Sequence, residues 1–207
     1  MNKMKLIAHS TIILLALSIS SCNGQSGKTN TAIVQTESVK PVDQLETLTK
    51  ELYKWVESDN AGEDFSPLPE QETDSLYLGL DLEAHKKRIS TLKNTHFFAA
   101  EFLENYNKIG LTIDEKLRSH SFSWYIGELP PFGNGANPWC NCQDNPDDYW
   151  KKIILQDVVF DGETATYNWT WGDGVPYKMK AVKENDGWKV SYMQGFDSEE
   201  FLSQQNN

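Results

Sequence analysis

The sequence predicts an α+β domain in which helices come first and a curled antiparallel β-meander follows. Apolar residues recur at the 3.6-residue period of a helix through much of the chain up to about residue 118. After that point the period changes to two, and Asp-Gly and Gly-Asp-Gly turns separate alternating segments. Helices that cover one face of an antiparallel sheet bury the apolar side of both, which is the α+β arrangement.

The chain begins with the pattern of a secretory signal. Lys3 and Lys5 precede a mostly apolar run from Leu6 to Leu17, and Ile19-Ser20-Ser21 lead directly to Cys22. The run has about 12 residues, whereas a membrane-spanning helix needs roughly 20. An aliphatic residue and two small residues before a cysteine resemble a bacterial lipobox. This resemblance implies cleavage before Cys22 and attachment of lipid to it; the alternatives are an ordinary secretory signal and an uncleaved membrane helix.

Three segments follow from this pattern. Residues 1–21 are predicted to be a lipoprotein signal peptide, residues 22–41 a polar flexible tether, and residues 42–207 a single α+β domain. The lipobox resemblance implies a diacylglycerol and usually an N-acyl chain, and two or more chains anchor a protein stably. The residues just after Cys22 contain no acidic run, so we expect a membrane-anchored lipoprotein of the bacterial cell envelope that faces the periplasm.

The predicted helices are marked by apolar spacing and by caps. The first covers Val42 to Ser58, and Asp81 caps the second. The third runs from about Thr95 to Ile109, where Gly110 is placed as a left-handed cap. Thr112 to Glu115 match a capping box, which predicts a short fourth helix.

The predicted strands follow in a row. Phe122–Ile126 alternates and is read as a strand, and a long loop from Glu128 to Asp148 comes after it. Turn sequences such as Asp161-Gly162 then separate four further strands. Those four are Ile153–Phe160, Glu163–Trp171, Val175–Lys183 and Trp188–Gln194.

The first helix, with Leu52-Tyr53-Lys54-Trp55, and the Trp-rich closing hairpins resemble the cystatin-like cone of the nuclear transport factor 2-like superfamily. The resemblance covers about residues 42–197, and many secreted bacterial lipoproteins of unknown function share it. It implies helices wrapped by a curled sheet. It implies no catalytic residue, because that superfamily contains enzymes, binding domains, immunity proteins and scaffolds.

Aromatic side chains are the first candidates for ligand binding. We expect Trp124, Trp139, Trp150, Trp169 and Tyr177 to line a pocket or a loop surface, since ligand pockets are mostly apolar with a few polar groups. Sugar, lipid and peptide ligands all remain open. The alternative is that this aromatic face simply packs against the helices.

The loop Leu129–Trp150 is unusually long for a compact domain, which indicates either a binding loop or a structural plug. It contains Cys140 and Cys142, for which a disulfide, two reduced thiols and a metal site are all conceivable. We predict the disulfide, because the expected compartment is oxidising. A zinc ion takes four ligands and the chain has no second cysteine pair, so no metal and no cofactor is predicted.

Asp157 is a weak catalytic candidate. It alternates with Ile153, Leu155 and Val159, so strict alternation would turn its carboxyl group inward. A buried carboxyl has a perturbed pKa and suits general acid–base chemistry. A shift of the strand register would turn it outward instead.

The charge limits the partners. Removal of Lys3 and Lys5 leaves 17 of the 19 basic residues against 30 acidic ones, a net charge of −13 with histidines neutral. Nucleic-acid binding requires a clustered basic face, so we expect no nucleic acid, and the membrane only through the lipid.

These observations predict a lipid-anchored periplasmic domain that binds a small molecule, glycan or protein and is not an enzyme. Two alternatives stay open. One is an inhibitor or immunity-type protein that docks a partner through an apolar patch. The other is a small hydrolase or isomerase that uses Asp157 as its base.

The anchor gives the first testable prediction. Cys22→Ala should leave an uncut precursor and abolish metabolic labelling with palmitate, because the lipid would be attached to this thiol. Immunoblotting and labelling of the two proteins measure this. Labelling that persists in Cys22→Ala would contradict a lipoprotein.

Overall fold

The computed structural model describes residues 40–60, 63–68, 75–185 and 187–203. The predicted signal peptide, Cys22 and the tether up to residue 39 lie outside these ranges. Within them, no helix combines the length and the apolar character needed to cross a bilayer.

Helix α1 runs from Pro41 to Trp55, close to the predicted range. Its first residue is a proline, whose fixed φ suits the first helical turn and whose missing N–H costs nothing there. Leu45, Leu52 and Tyr53 form its buried stripe. The helix ends in a π-helical turn, Val56–Asn60.

Helix α2 covers Leu82–Asn94, and the predicted cap is confirmed. The Asp81 carboxylate accepts hydrogen bonds from the backbone N–H groups of Glu83 at 3.0 Å and Ala84 at 2.9 Å. These bonds satisfy two of the donors that a helix N-terminus leaves without a partner.

Helix α3 runs from Ala100 to Arg118, so the prediction of two helices divided at Gly110 is wrong. The start at Thr95 is also wrong, because His96 has a φ of 62° and cannot belong to a helix. Gly110 lies inside α3 for a packing reason. A Cβ atom at this position would overlap the imidazole ring of His85 on α2.

The sheet has four antiparallel strands in the order β1-β2-β3-β4. The combination of helices and an open antiparallel sheet confirms the α+β class. The meander follows the predicted order of segments because each hairpin is closed by a local turn. The strands are β1 Ile154–Asp161, β2 Thr164–Thr170, β3 Tyr177–Glu184 and β4 Gly187–Met193.

Two bulges alter which side chains face the helices. Gln156 pairs with Asn168 and Val159 with Thr166, so β1 has one residue more than β2 between these pairs. In β4, a similar shift at Ser191 buries Met193 where strict alternation places Tyr192. A bulge reverses the alternation beyond it, which sequence periodicity alone does not reveal.

The predicted strand Phe122–Ile126 is wrong. Tyr125 forms only an isolated bridge with Leu76. Backbone hydrogen bonds from Tyr77 N to Trp124 O and from Ile126 N to Ser75 O complete this short contact. Gly127 follows with a φ of 83°, and the left-handed turn ends the extended segment.

The core lies between the inner face of the sheet, α1 and α3. Tyr53 of α1 packs on Trp169 of β2 with ring centroids 4.3 Å apart, and Thr49 shares a hydrogen bond of 3.1 Å with Tyr167. Beside β4, Phe98 forms a parallel bridge with Val190.

Gly110 gives a prediction about packing. Gly110→Ala should lower the free energy of unfolding by about 1–3 kcal/mol, because the added methyl group meets the His85 ring. Alanine is the better helix former by about 1 kcal/mol. In a His85→Ala background the same change should therefore be neutral or stabilising. Urea unfolding of the four proteins measures the cycle, and an equal loss in both backgrounds would contradict the packing explanation.

Candidate functional site

An open cleft of about 650 Å³ lies between three parts of the fold. Its walls come from the end of α1 with the loop at residues 63–65, from the loop at residues 129–139, and from helix α4, Ser198–Ser203. This volume is within the usual range of small-molecule pockets. The lining residues are Val56, Glu63, Asp64, Phe65, Leu129, Pro130, Phe132, Gly133, Gly135, Ala136, Asn137, Pro138, Trp139 and Phe201.

Asp64 forms the polar centre of the cleft floor. Its Oδ1 accepts hydrogen bonds from Arg88 Nε on α2 at 3.0 Å and from the Tyr106 hydroxyl on α3 at 2.6 Å. Its Oδ2 accepts a bond of 2.7 Å from Trp139 Nε1. One carboxylate therefore joins two helices and the long loop.

The Asp64 side chain is only 10% exposed and that of Arg88 only 8%. Burial raises the pKa of Asp64 above its usual value, because it penalises the charged form. The charge of Arg88 and the three donated hydrogen bonds act in the opposite direction. The ion pair and the donors thus stabilise a carboxylate that burial alone would disfavour.

Two buried tyrosines hold the long loop against the sheet. Tyr53 donates a hydrogen bond of 2.7 Å to the carbonyl oxygen of Trp139, and Tyr177 donates one of 2.7 Å to that of Pro138. Tyr53 in turn accepts from Trp169 Nε1, and Tyr177 accepts from Gly195 N. Burial raises the pKa of both phenols, so both remain donors at neutral pH.

Cys140 and Cys142 form a disulfide in the turn that follows Trp139. The turn is also held by backbone hydrogen bonds. Asn137 N donates to Cys142 O at 2.8 Å, and Asn141 N donates to Asn137 O at 2.7 Å. A ring of three residues removes little chain entropy, roughly 1.5 kcal/mol. The turn therefore depends on its hydrogen bonds as much as on the disulfide.

Only Trp139 of the five aromatic candidates lines the cleft. Trp169 and Tyr177 are buried in the core, and Trp124 packs on Tyr77 and Phe132. Trp150 is half-buried beside the ammonium groups of Lys54 and Lys151. The cleft therefore does not bring these five residues together, and most of them contribute to the core.

Asp157 faces solvent, so of the two orientations that the sequence left open it takes the outward one. It lies in the β1 bulge with a φ of 52°, and its carboxylate accepts a hydrogen bond of 3.0 Å from the Asn168 side chain. The extra residue of the bulge reverses the alternation. The carboxyl therefore lacks the closed cavity that an acid–base role was expected to use.

The sequence pattern did not identify Asp64, Phe65 or Phe201 as site residues. Asp64 contacts partners that are 24, 42 and 75 residues away in the chain. No local spacing signals contacts at such separations. The one local indication was the density of proline, glycine and aromatic residues in the long loop, which does supply a wall of the cleft.

No protein-family model matches this chain, and no curated protein or solved structure is significantly similar to it. Among the residues that the structure describes, no group of three or more His, Cys, Asp or Glu side chains could hold a metal ion.

The Asp64 network gives a prediction about stability. Asp64→Asn should lower the free energy of unfolding by about 3–5 kcal/mol, because it leaves the buried Arg88 charge without its counter-ion. The matched control is Glu83→Gln, which removes an exposed ion pair with Lys86 and should cost about 0.5 kcal/mol or less. Urea unfolding measures both, and similar small losses would contradict a structural role for Asp64.

The disulfide gives a second prediction. Cys142→Ser should lower the free energy of unfolding by roughly 1.5 kcal/mol or less, because the ring that it opens is so short. Amide exchange should accelerate around Trp139, which hydrogen–deuterium exchange resolves by peptide. Two freely alkylatable thiols in native protein isolated from an oxidising compartment would contradict the disulfide.

Proposed function

We propose that this protein is a lipid-anchored envelope protein, tethered through Cys22, whose α+β domain binds a ligand in the cleft. The observation that carries the proposal is the cleft itself, an open cavity of about 650 Å³ with mostly apolar walls and two carboxylates. Pockets that bind small molecules combine an apolar lining with a few polar groups in this way.

The rigidity of the cleft floor supports binding. Trp139 is held through its side chain by Asp64 and through its carbonyl oxygen by Tyr53. A second contact joins the loop to α4, because Gly133 N donates a hydrogen bond of 2.8 Å to Phe201 O. Walls that are fixed before binding reduce the entropy that the ligand must overcome.

We also propose that the sheet belongs to the cone architecture of the nuclear transport factor 2-like superfamily. In support of this, α1 packs across the inner face of the sheet through Tyr53 and Thr49. The bulges in β1 and β4 bend the two outer strands, and bent outer strands curl a sheet around the helix that it covers.

Docking of a partner protein is the second candidate. Strand β1 exposes Val159 to 63% and also exposes Ile154 and Phe160. Exposed apolar side chains on an outer strand favour protein contacts. We rank this below ligand binding because the cleft is concave and offers both apolar walls and polar groups.

A neutral fluorescent probe tests the cleft. The protein is the mature chain, residues 22–207, with Cys22→Ser so that no acyl chain competes for the probe. N-phenyl-1-naphthylamine should bind with a stoichiometry of one, and fluorescence titration measures this. Ala136→Trp, which places an indole in the cleft, should weaken binding at least about tenfold, because it fills the volume that the probe occupies.

Two variants control for this effect. Thr91→Trp adds the same side chain to the exposed face of α2, and Val159→Lys changes the apolar surface of β1. Both should leave the affinity unchanged. Loss of binding in Val159→Lys with none in Ala136→Trp would favour the apolar surface over the cleft.

A further inference from the structure

We propose that the ligand of this cleft carries a positive charge on an apolar body, as an organic amine does. The inference rests on the proposed function, since it names the class of ligand that the cleft takes.

The charged residues that line the cleft are both acidic. These are Glu63 and Asp64, and no Lys or Arg is among the lining residues. An anionic ligand would therefore meet two carboxylates and no Lys or Arg side chain along the lining, and like charges repel. A cationic ligand has the complementary charge.

Arg88 does not cancel the negative charge that the cleft presents to a ligand. Its guanidinium bonds to Asp64 on the floor and lies 5.6 Å from the ring centroid of Trp55 and 5.5 Å from that of Trp139. The side chain is only 8% exposed. Its charge therefore compensates Asp64 inside the protein and is not presented to the cleft.

Glu63 supplies the uncompensated charge. It is exposed, and its Oε2 accepts a hydrogen bond of 3.5 Å from the Ser66 hydroxyl, which carries no charge of its own. Among the residues that the structure describes, no Lys, Arg or His forms an ion pair with it. Its carboxylate is thus available to a cationic group at the edge of the cleft.

The stretches of sequence in which the lining residues occur are free of basic residues. Residues 55–85, 119–150 and 190–207 contain no Lys or Arg, although the chain has 19 of them. The same segments contain 16 of the 30 acidic residues. The lining residues therefore have no adjacent basic residue in the sequence, and the two lining carboxylates are the charges that the cleft presents to a ligand.

The apolar body of the ligand follows from the other lining residues. Leu129 lines the cleft and is 72% exposed. Three lining rings pack together with centroids 5.6–6.3 Å apart, those of Phe65, Phe132 and Phe201. A small hydrated metal ion would gain nothing from such walls. An amine with a phenyl or alkyl group would bury apolar surface there while its charge approaches Glu63.

Three probes with one apolar body test the charge preference. These are 4-phenylbutylamine, 4-phenylbutanol and 4-phenylbutyrate, measured by displacement of N-phenyl-1-naphthylamine and by calorimetry. The amine should bind at least about fivefold more tightly than the carboxylate at low salt. An affinity ratio of this size is what one exposed ion pair contributes to binding. The difference should shrink at high salt because the pair is screened.

Glu63→Gln should abolish most of this preference and leave the affinity for the alcohol unchanged. The matched control is Glu115→Gln on the exposed face of α3, away from the cleft, which should keep the preference. Equal affinities for the three probes, or a preference for the carboxylate, would overturn the inference while the cleft remains a binding site. If none of the three displaces a dye whose binding Ala136→Trp weakens, the inference fails while the cleft remains a binding site. If the dye itself does not bind, the proposed function fails.

Discussion

The carboxylate of Asp64 is the constraint on which the cleft depends. A buried charge is tolerated only when it is paired and hydrogen-bonded, and here the partners come from α2, from α3 and from the long loop. Satisfying one carboxylate therefore requires three distant parts of the chain to meet at one point. The loop at residues 63–65 carries the group, so its position decides where the floor of the cleft lies.

The meander was predictable because its information is local. The sequences Asp161-Gly162 and Asn185 to Gly187 are typical of hairpin turns. The alternation of apolar and polar residues between them indicates where the strands lie. The errors have tertiary causes. Gly110 resembles a helix cap in sequence, yet the His85 ring requires a glycine inside the helix. Asp157 fits strict alternation, but a bulge that depends on pairing with β2 turns it outward.

The site was predictable only in part. The long loop was recognised from its length and from its prolines, glycines and aromatic residues, and Trp139 does line the cleft. The other aromatic candidates lie outside the cleft. Large rings pack in a core as readily as they line a pocket, and the sequence does not distinguish these two roles. Asp64 carries no local signature, since its role exists only when residues far apart in the chain have folded together.

Two tyrosines donate hydrogen bonds to consecutive carbonyl groups of the long loop, and this determines which part of the loop can change. Pro138 and Trp139 are bound from β3 and α1, two elements of the core, so this end of the loop moves only if the core moves. The stretch from Leu129 to Ala136 has no such double attachment to the sheet and supplies much of one wall. Substitutions of the exposed residues there, such as Leu129, can reshape the cleft while the fold stays intact. The molecule thus separates a frame that the core holds in place from a stretch of loop that can change shape without disturbing that frame.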